Sequence, residues 1–357
     1  PHDKKKLREQ VREHYNEGKQ ALGSWPQRHE ERYRRYRADV TLRPSGPWPE
    51  WPRLFTSHTR RNAEKILGDL WMALFGNEDS IKAEAWNGEN MAKADRITKF
   101  ERWALLEAIN NEDRGGFDYT SYMALFDAVI DGAGILKVYR YSPPWSRPES
   151  DKGRWLETIV RIDNVDQSYL LIPPGVSSLQ YPECLYVHEQ MFLRMDDLMR
   201  KKKEGWKVPD KDAIAPKEKP LSARGKFEQE SDGMKRNTRS DSYEVVESYE
   251  RFAVSDLEED LVVTWYADYD GDDDGWLARA AYMTDIFPAH DRPRRPYFPI
   301  VLWLQPRQLR GLNVPDRLET PQDVINKLME QSIAYGEISM LPFYFVNAMV
   351  AGDIPSL

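Results

Sequence analysis

Gln308-Leu-Arg-Gly-Leu-Asn-Val-Pro-Asp-Arg-Leu-Glu-Thr-Pro-Gln-Asp-Val-Ile-Asn-Lys-Leu-Met-Glu-Gln-Ser332 reads as a turn followed by a long helix. Gly311 and Pro315 bracket the turn. Thr320 is placed to cap the helix, Pro321 suits its first position, and Asp323 falls in the first turn, where an acid complements the dipole. Val324, Ile325, Leu328, Met329 and Ile333 then recur at helical spacing. The expected helix runs from Pro321 to Met340, about 30 Å at 1.5 Å per residue. Lys327, Glu330 and Glu337 fall on its polar side. They face a channel, are solvated, or pair with a neighbouring subunit; the pattern leaves these open.

Working outward, Phe298-Pro-Ile-Val-Leu-Trp-Leu304 is a strand that delivers the chain to this turn. Before it, Tyr243–Phe252, Leu261–Tyr266 and Trp276–Met283 alternate as strands of an antiparallel meander closed by the 298–304 strand. Residues 207–242 are rich in Lys, Ser, Asp and Pro and read as an exposed or disordered insertion. Upstream, Leu185–Leu193 is a strand and Met195–Leu198 starts a short helix. Trp155–Ile162 alternates as a strand. Gly134-Ile-Leu-Lys-Val-Tyr-Arg-Tyr141 follows the Gly132-Ala-Gly134 turn as another.

Three helices precede that turn. His58–Gly76 carries Ala63, Ile66, Leu67, Leu70, Trp71, Leu74 and Phe75 on one stripe. After a strand-like piece at Ile81–Trp86, the second helix spans Met91–Asn110 with Phe100, Trp103, Leu105 and Leu106 as its apolar side. The third starts near Asp118. The first 40 residues are strongly charged, and Arg28-His-Glu-Glu-Arg-Tyr-Arg-Arg-Tyr-Arg37 reads as a solvated helical face with interleaved Glu, or as a basic arm for nucleic acid. Residues 41–56 form a Pro linker whose Trp48 and Trp51 clamp it to the body.

Two features resemble the portal (head-to-tail connector) proteins of tailed bacteriophages, in their podovirus-like form. One is the Gly-x-x-x-Pro turn before Pro321-Gln-x-x-Ile-Asn-x-Leu, which is similar to the passage from portal wing to first stem helix. The other is Asp127-Ala-Val-Ile-Asp-Gly-Ala-Gly-Ile-Leu-Lys-Val-Tyr139, which looks like a wing helix turning into a strand. The resemblance implies an α+β, ring-forming portal fold. The expected parts are an N-terminal arm and linker (1–56), a wing (57–206), the insertion (207–242), a wing meander (243–305), the turn and first stem helix (306–340) and the start of a clip (341–357). The apolar run Leu341–Val350 at the end suggests that the clip and later portal segments lie beyond residue 357. The implied function is a conduit for packaging and ejection of double-stranded DNA at one capsid vertex, built as a homo-oligomer of about twelve subunits. Implied partners are the terminase large subunit, the major capsid and scaffold proteins, and head-completion or tail adaptor proteins. The alternative is a structural adaptor of a virion without a channel.

Bulk composition bounds these readings. The 357-residue chain is 40% hydrophobic and 31% charged, with 12 Trp, 18 Tyr and 12 Phe. Aromatics at this density suit cores and interfaces. The net charge of −8 argues against tight phosphate binding. Cys184 is the single cysteine, so no intrachain disulfide forms. No stretch is apolar for long enough to span a membrane.

No catalytic constellation, phosphate-binding loop or nucleophile elbow is legible. No cofactor is expected. The six histidines are scattered, and His188 reads as a structural residue of its strand. Asp270, Asp272 and Asp274 match the first half of a calcium loop, but its twelfth position is Ala281 and its flanks read as strands. The acidic stretch therefore reads as a hairpin turn with weak cation-binding potential, and a metal-dependent nuclease built on it is the remotest reading.

Overall fold

The computed structural model describes residues 4–48, 51–76, 82–85, 90–108, 116–141, 159–180, 182–210, 213–217, 220, 222, 225–226, 242–254, 257–267, 276–283 and 294–340. It combines helices with antiparallel sheets. In chain order the helices are α1 (Lys4–Leu22), α2 (Trp25–Tyr36), α3 (His58–Phe75), α4 (Met91–Arg102), α5 (Gly116–Asp131), α6 (Met195–Lys203) and α7 (Val314–Met340). The strands are β1 (Gly134–Tyr141), β2 (Ile159–Val165), β3 (Leu170–Leu171), β4 (Tyr186–Arg194), β5 (Ser242–Val254), β6 (Leu257–Tyr266), β7 (Trp276–Tyr282), β8 (Tyr297–Ile300), β9 (Trp303–Gln305) and β10 (Gln308–Leu312). They form a five-stranded sheet β3-β4-β5-β6-β7, a three-stranded sheet β2-β1-β8 and a β9-β10 ribbon. Every described pairing is antiparallel.

Strand alternation decides how these layers stack. In β6, Leu261, Val263 and Trp265 point to one face and pack with Leu7, Val11 and Tyr15 of α1. Val262 points to the other face, into a core shared with Ile135, Val165 and Tyr297 of the smaller sheet. The large sheet is thus covered by α1 on one side and by β2-β1-β8 on the other. Lys137 of β1 crosses between the sheets. Its Nζ lies 2.5 Å from Glu189 of β4 and also pairs with Glu247 of β5. Burial alone would depress the Lys137 pKa; the two carboxylates outweigh it and hold the ammonium well above its ordinary range. A helical layer of α2, α3, α5 and α7 has its own core around Tyr33, Ala63, Val129, Ile130 and Val314.

Two glycines fix the junction between that layer and the sheets. Gly132 ends α5 with φ +88°, and a Cβ there would lie 2.1 Å from Gly311 O. Gly311 N–H in turn donates to Gly132 O at 3.2 Å. The two backbones meet where no side chain fits, which places β10 and the start of α7 against the end of α5.

The meander over 243–283 forms as the alternation predicts. Its expected closing strand does not: Tyr297–Ile300 pairs with β1 in the smaller sheet, since Gly134–Lys137 offers a free edge there. Lys82–Ala85 takes no strand conformation. The second helix passes into a π-helical turn over Trp103–Ala108, and Ile109 and Asn110 lie outside the described residues. The strand expected over Trp155–Ile162 is observed as Ile159–Val165; residues 155–158 lie outside the described residues. Part of the 207–242 segment is not an exposed insertion. Ile214 is buried with Leu198, Tyr243, Val245 and Tyr266, and Lys217 Nζ reaches Glu244 at 2.7 Å. Val208, half-buried against the same core, joins Ile214 in docking the stretch.

The long helix begins seven residues earlier than Pro321. Asn313 is its cap: Asn313 Oδ1 accepts from Asp316 N–H at 2.8 Å, and Asn313 Nδ2 donates back to Asp316 Oδ2 at 2.8 Å. Pro321 then sits inside the helix, where it removes one backbone hydrogen bond at a typical cost of about 3 kcal/mol. Ion pairs from Arg32 and Arg35 of α2 to Asp316, Glu319 and Asp323 hold the helix on either side of it.

Candidate assembly interface

α7 has two faces, and they are the reverse of an ordinary amphipathic helix. Its buried positions include Gln322, Asn326, Glu330 and Ala334, spaced four apart. Three of these four are polar. Their oxygens are engaged by the linker that precedes α3 and by the first turn of α3, while Asn326 Nδ2 is buried without a partner among the described residues. Thr59 N–H donates to Gln322 Oε1 at 3.2 Å, and Gln322 Nε2 donates to Thr56 O at 2.8 Å. Thr56 N–H donates to Asn326 Oδ1 at 2.9 Å. Leu54 N–H donates to Glu330 Oε1 at 3.0 Å. The linker thus runs antiparallel to the helix axis, each step of about one turn meeting the next polar side chain. Extended chain has no internal partners for its N–H groups, so a polar stripe on the helix is what allows it to be buried.

Charge completes the inner face. Arg43 forms a two-pronged pair with Glu330, Nε to Oε1 at 3.0 Å and Nη2 to Oε2 at 2.8 Å. Arg32 grips Asp316 the same way at 3.0 and 2.7 Å. Arg35 reaches Glu319 at 2.7 Å and Asp323 at 3.2 Å. The arginines of the 28–37 run are therefore directed in part at the acidic side of α7 within the same chain. This corrects both sequence readings of that run, the solvated face and the nucleic-acid arm, for Arg32 and Arg35.

The sequence groups Glu330 with Lys327 and Glu337 on one polar, outward side. The structure separates them. Lys327 and Glu337 are exposed, whereas Glu330 is buried against Arg43 and Leu54. Burial by itself would raise the Glu330 pKa; hydrogen bonds from Arg43 and Leu54 outweigh it and hold the carboxyl below the ordinary glutamate range. Trp51 of the linker adds a further hydrogen bond to that carboxylate.

The outer face is apolar. Val324 and Leu328 make one row, and Ile325, Met329 and Ile333 make a second at four-residue spacing; all are exposed. Leu328 is 57% and Tyr335 73% accessible. Further exposed apolar side chains lie on other helices: Met72 of α3, Phe100 of α4 (64% accessible) with the Trp103 ring 6.0 Å away, and Tyr119 of α5. Phe100 and Trp103 are the residues expected to form the buried side of the second helix. Adjacent exposed apolar rows such as those of α7 mark interaction surfaces.

Asp270, Asp272 and Asp274 lie outside the described residues, as does the apolar stretch 341–350. Cys184 is buried, and burial pushes its thiol up to about 11, against a smaller opposing pull from Arg295. It is an unreactive core residue. His188 sits fully buried in β4. The fold brings it together with His14 and Glu250, a grouping that sequence spacing does not show because the three residues come from α1, β4 and β5. No protein-family model matches this chain, and no curated protein sequence matches it.

Proposed function

We propose that this chain is a portal subunit, one copy of a ring at a capsid vertex through which double-stranded DNA passes, with α7 as its first stem helix. The observation that carries this reading is the outward apolar face of α7. A helix 27 residues long, about 40 Å, has its polar stripe turned inward and its apolar rows turned out. In a lone chain that arrangement leaves the apolar rows in water; between neighbouring copies it buries them.

A closed ring is a head-to-tail assembly, so each copy needs two different complementary surfaces. The apolar face of α7 and the exposed Phe100–Trp103 pair are two such candidates on separate elements. The ion pairs from α2 and the linker hydrogen bonds keep α7 rigid along its inner side, as a stave needs. The net charge of −8 suits a wall along which DNA slides without being gripped. No helix among the described residues is long and apolar enough to cross a membrane. Terminase, capsid, scaffold and tail proteins are the partners this reading implies.

The test is the mass and symmetry of the purified protein. A ring of about a dozen copies with an axial hole supports the portal reading. A monomer or two-fold dimer at every concentration, with or without scaffold protein, overturns it in favour of an adaptor without a channel.

A further inference from the structure

We infer that His14, His188 and Glu250 form a binding site for a divalent transition-metal ion of the zinc class, which pins α1 to the large sheet. Their ligand atoms all lie within 4.8 Å of one another. His14 Nδ1 is 2.7 Å from Glu250 Oε2, and His188 Nε2 is 3.1 Å from Glu250 Oε1. Two imidazoles and a carboxylate are a donor set that suits zinc with one further position for water.

The register explains how they meet. Within the β4-β5 pair, His188 lies opposite Ser248 and Tyr186 opposite Glu250. Side chains two apart share a face, so His188 and Glu250 are diagonal neighbours on the side that α1 covers. His14 descends from α1, stacked on the Tyr186 ring at 4.5 Å.

Three observations separate this trio from an ordinary hydrogen-bonded cluster. First, His188 and Glu250 are fully buried. They sit beside the apolar residues Val11, Val246 and Leu261 under α1, where an ionised group needs a partner. Second, His188 Nε2 and Glu250 Oε1 are buried with no aligned hydrogen-bond partner, despite their separation of 3.1 Å. Third, the other nitrogen of His188 is occupied: Nδ1 lies 2.7 Å from Ser248 Oγ, which also accepts from Trp265 Nε1–H at 3.1 Å. Ser248 Oγ accepts from Trp265 Nε1–H and is the partner of His188 Nδ1, which holds the ring with Nε2 turned toward the carboxylate. An imidazole nitrogen and a carboxylate oxygen facing each other at 3.1 Å in a dry site share a proton or hold a cation in its place. This is also the outer-shell arrangement that orients a ligating imidazole.

The fit to a metal is close. Ligand atoms bound to zinc at about 2.0–2.2 Å in a tetrahedron stand about 3.4 Å apart. The spacings of 2.7 and 3.1 Å are shorter than that value, and no ligand-atom pair is more than 4.8 Å apart, so side-chain adjustments of about 1 Å close the site. Gln10 Nε2 donates to Glu250 Oε2 at 3.3 Å and to Arg251 O at 2.7 Å, holding the carboxylate from the α1 side. The His14 side chain keeps 19% of its surface exposed, which supplies the entry path. Glu13 and Glu17 add negative potential at His14. Any proton on the ligating nitrogens leaves to solvent as the metal binds.

The experiment uses the full chain, stripped with a chelator and titrated with Co2+ and then Zn2+. The expected result is one equivalent bound, intense visible bands of four-coordinate Co2+, loss of those bands on Zn2+ addition, and a rise in Tm with Zn2+. His14→Gln removes a ligand at the rim of the site. It should weaken Zn2+ binding by more than about 100-fold, since loss of even an outer partner costs about 10- to 100-fold. Circular dichroism of His14→Gln checks that the fold survives, and Ser248→Ala, which leaves all three ligands, should weaken binding less. Weak pale bands of six-coordinate Co2+, no saturation at one equivalent, or unchanged affinity in a folded His14→Gln protein would overturn the assignment. Ring formation by the same protein is read separately, so failure of one does not decide the other.

Discussion

Glu330 shows how much a single residue's surroundings matter. Its carboxylate is paired with Arg43, and both side chains are 8% exposed. Removing one member of such a pair leaves the other charge buried and typically costs about 3–5 kcal/mol. Glu330→Ala should lower the unfolding free energy by that amount, whereas Glu337→Ala, at an exposed position, should change it by less than about 0.5 kcal/mol. Urea unfolding of both variants checks this. The sign of the pH dependence follows from the depressed Glu330 pKa. Its contribution is present above the ordinary glutamate value of 4.5 and is lost as pH falls through the lower, folded value. Glu330→Gln should therefore be less stable at neutral pH and should lose less stability than wild type on acidification from there to below pH 4.5. Gly132 makes a second residue-scale prediction. Gly132→Ala combines a positive φ with a Cβ 2.1 Å from Gly311 O, and should cost about 3 kcal/mol or more, measured by the same urea unfolding.

At the scale of elements, α7 decides what is legible in the sequence. Its existence and its apolar periodicity are readable from Val324 to Ile333. Which side faces inward is not, because hydrophobic periodicity assumes that the apolar stripe is the buried one. Here the partner is an extended linker with unpaired N–H groups, so the polar stripe is buried. The helix start misleads for a related reason: Thr320-Pro321 is a sound local start signal, but the Asn313–Asp316 cap and the Arg32 and Arg35 pairs carry the helix through the proline. The meander is legible because alternation is local. The transfer of the 297–300 strand to β1 is not, since pairing partners depend on which edge is free. The His14–His188–Glu250 grouping is hidden for the same reason; only the β4-β5 register and the path of α1 assemble it. The element-scale prediction concerns the outer rows of α7. Leu328→Asp should leave the unfolding free energy of the isolated chain within about 0.5 kcal/mol, because that side chain is already in water. It should abolish self-association, checked by sedimentation velocity beside Lys327→Ala as a control.

At the scale of the whole molecule, the two sheets share an apolar core that is crossed by a buried ion-pair cluster. Lys137 links the sheets through Glu189 and Glu247, with Tyr297 OH donating to Glu189 at 2.7 Å. Lys137→Met leaves two carboxylates facing each other without a cation and should cost about 3–5 kcal/mol, read as a drop in Tm. A body this firmly joined presents its exposed apolar faces as fixed surfaces, which is what a repeating assembly requires. The most direct test of the central claim, that the outer face of α7 joins copies into a ring, is native mass spectrometry of wild type and Leu328→Asp at matched concentration. The account predicts a closed ring of about a dozen copies for wild type and monomers for the variant. Monomers for both, or a ring that survives Leu328→Asp together with Val324→Asp and Met329→Asp, would contradict it.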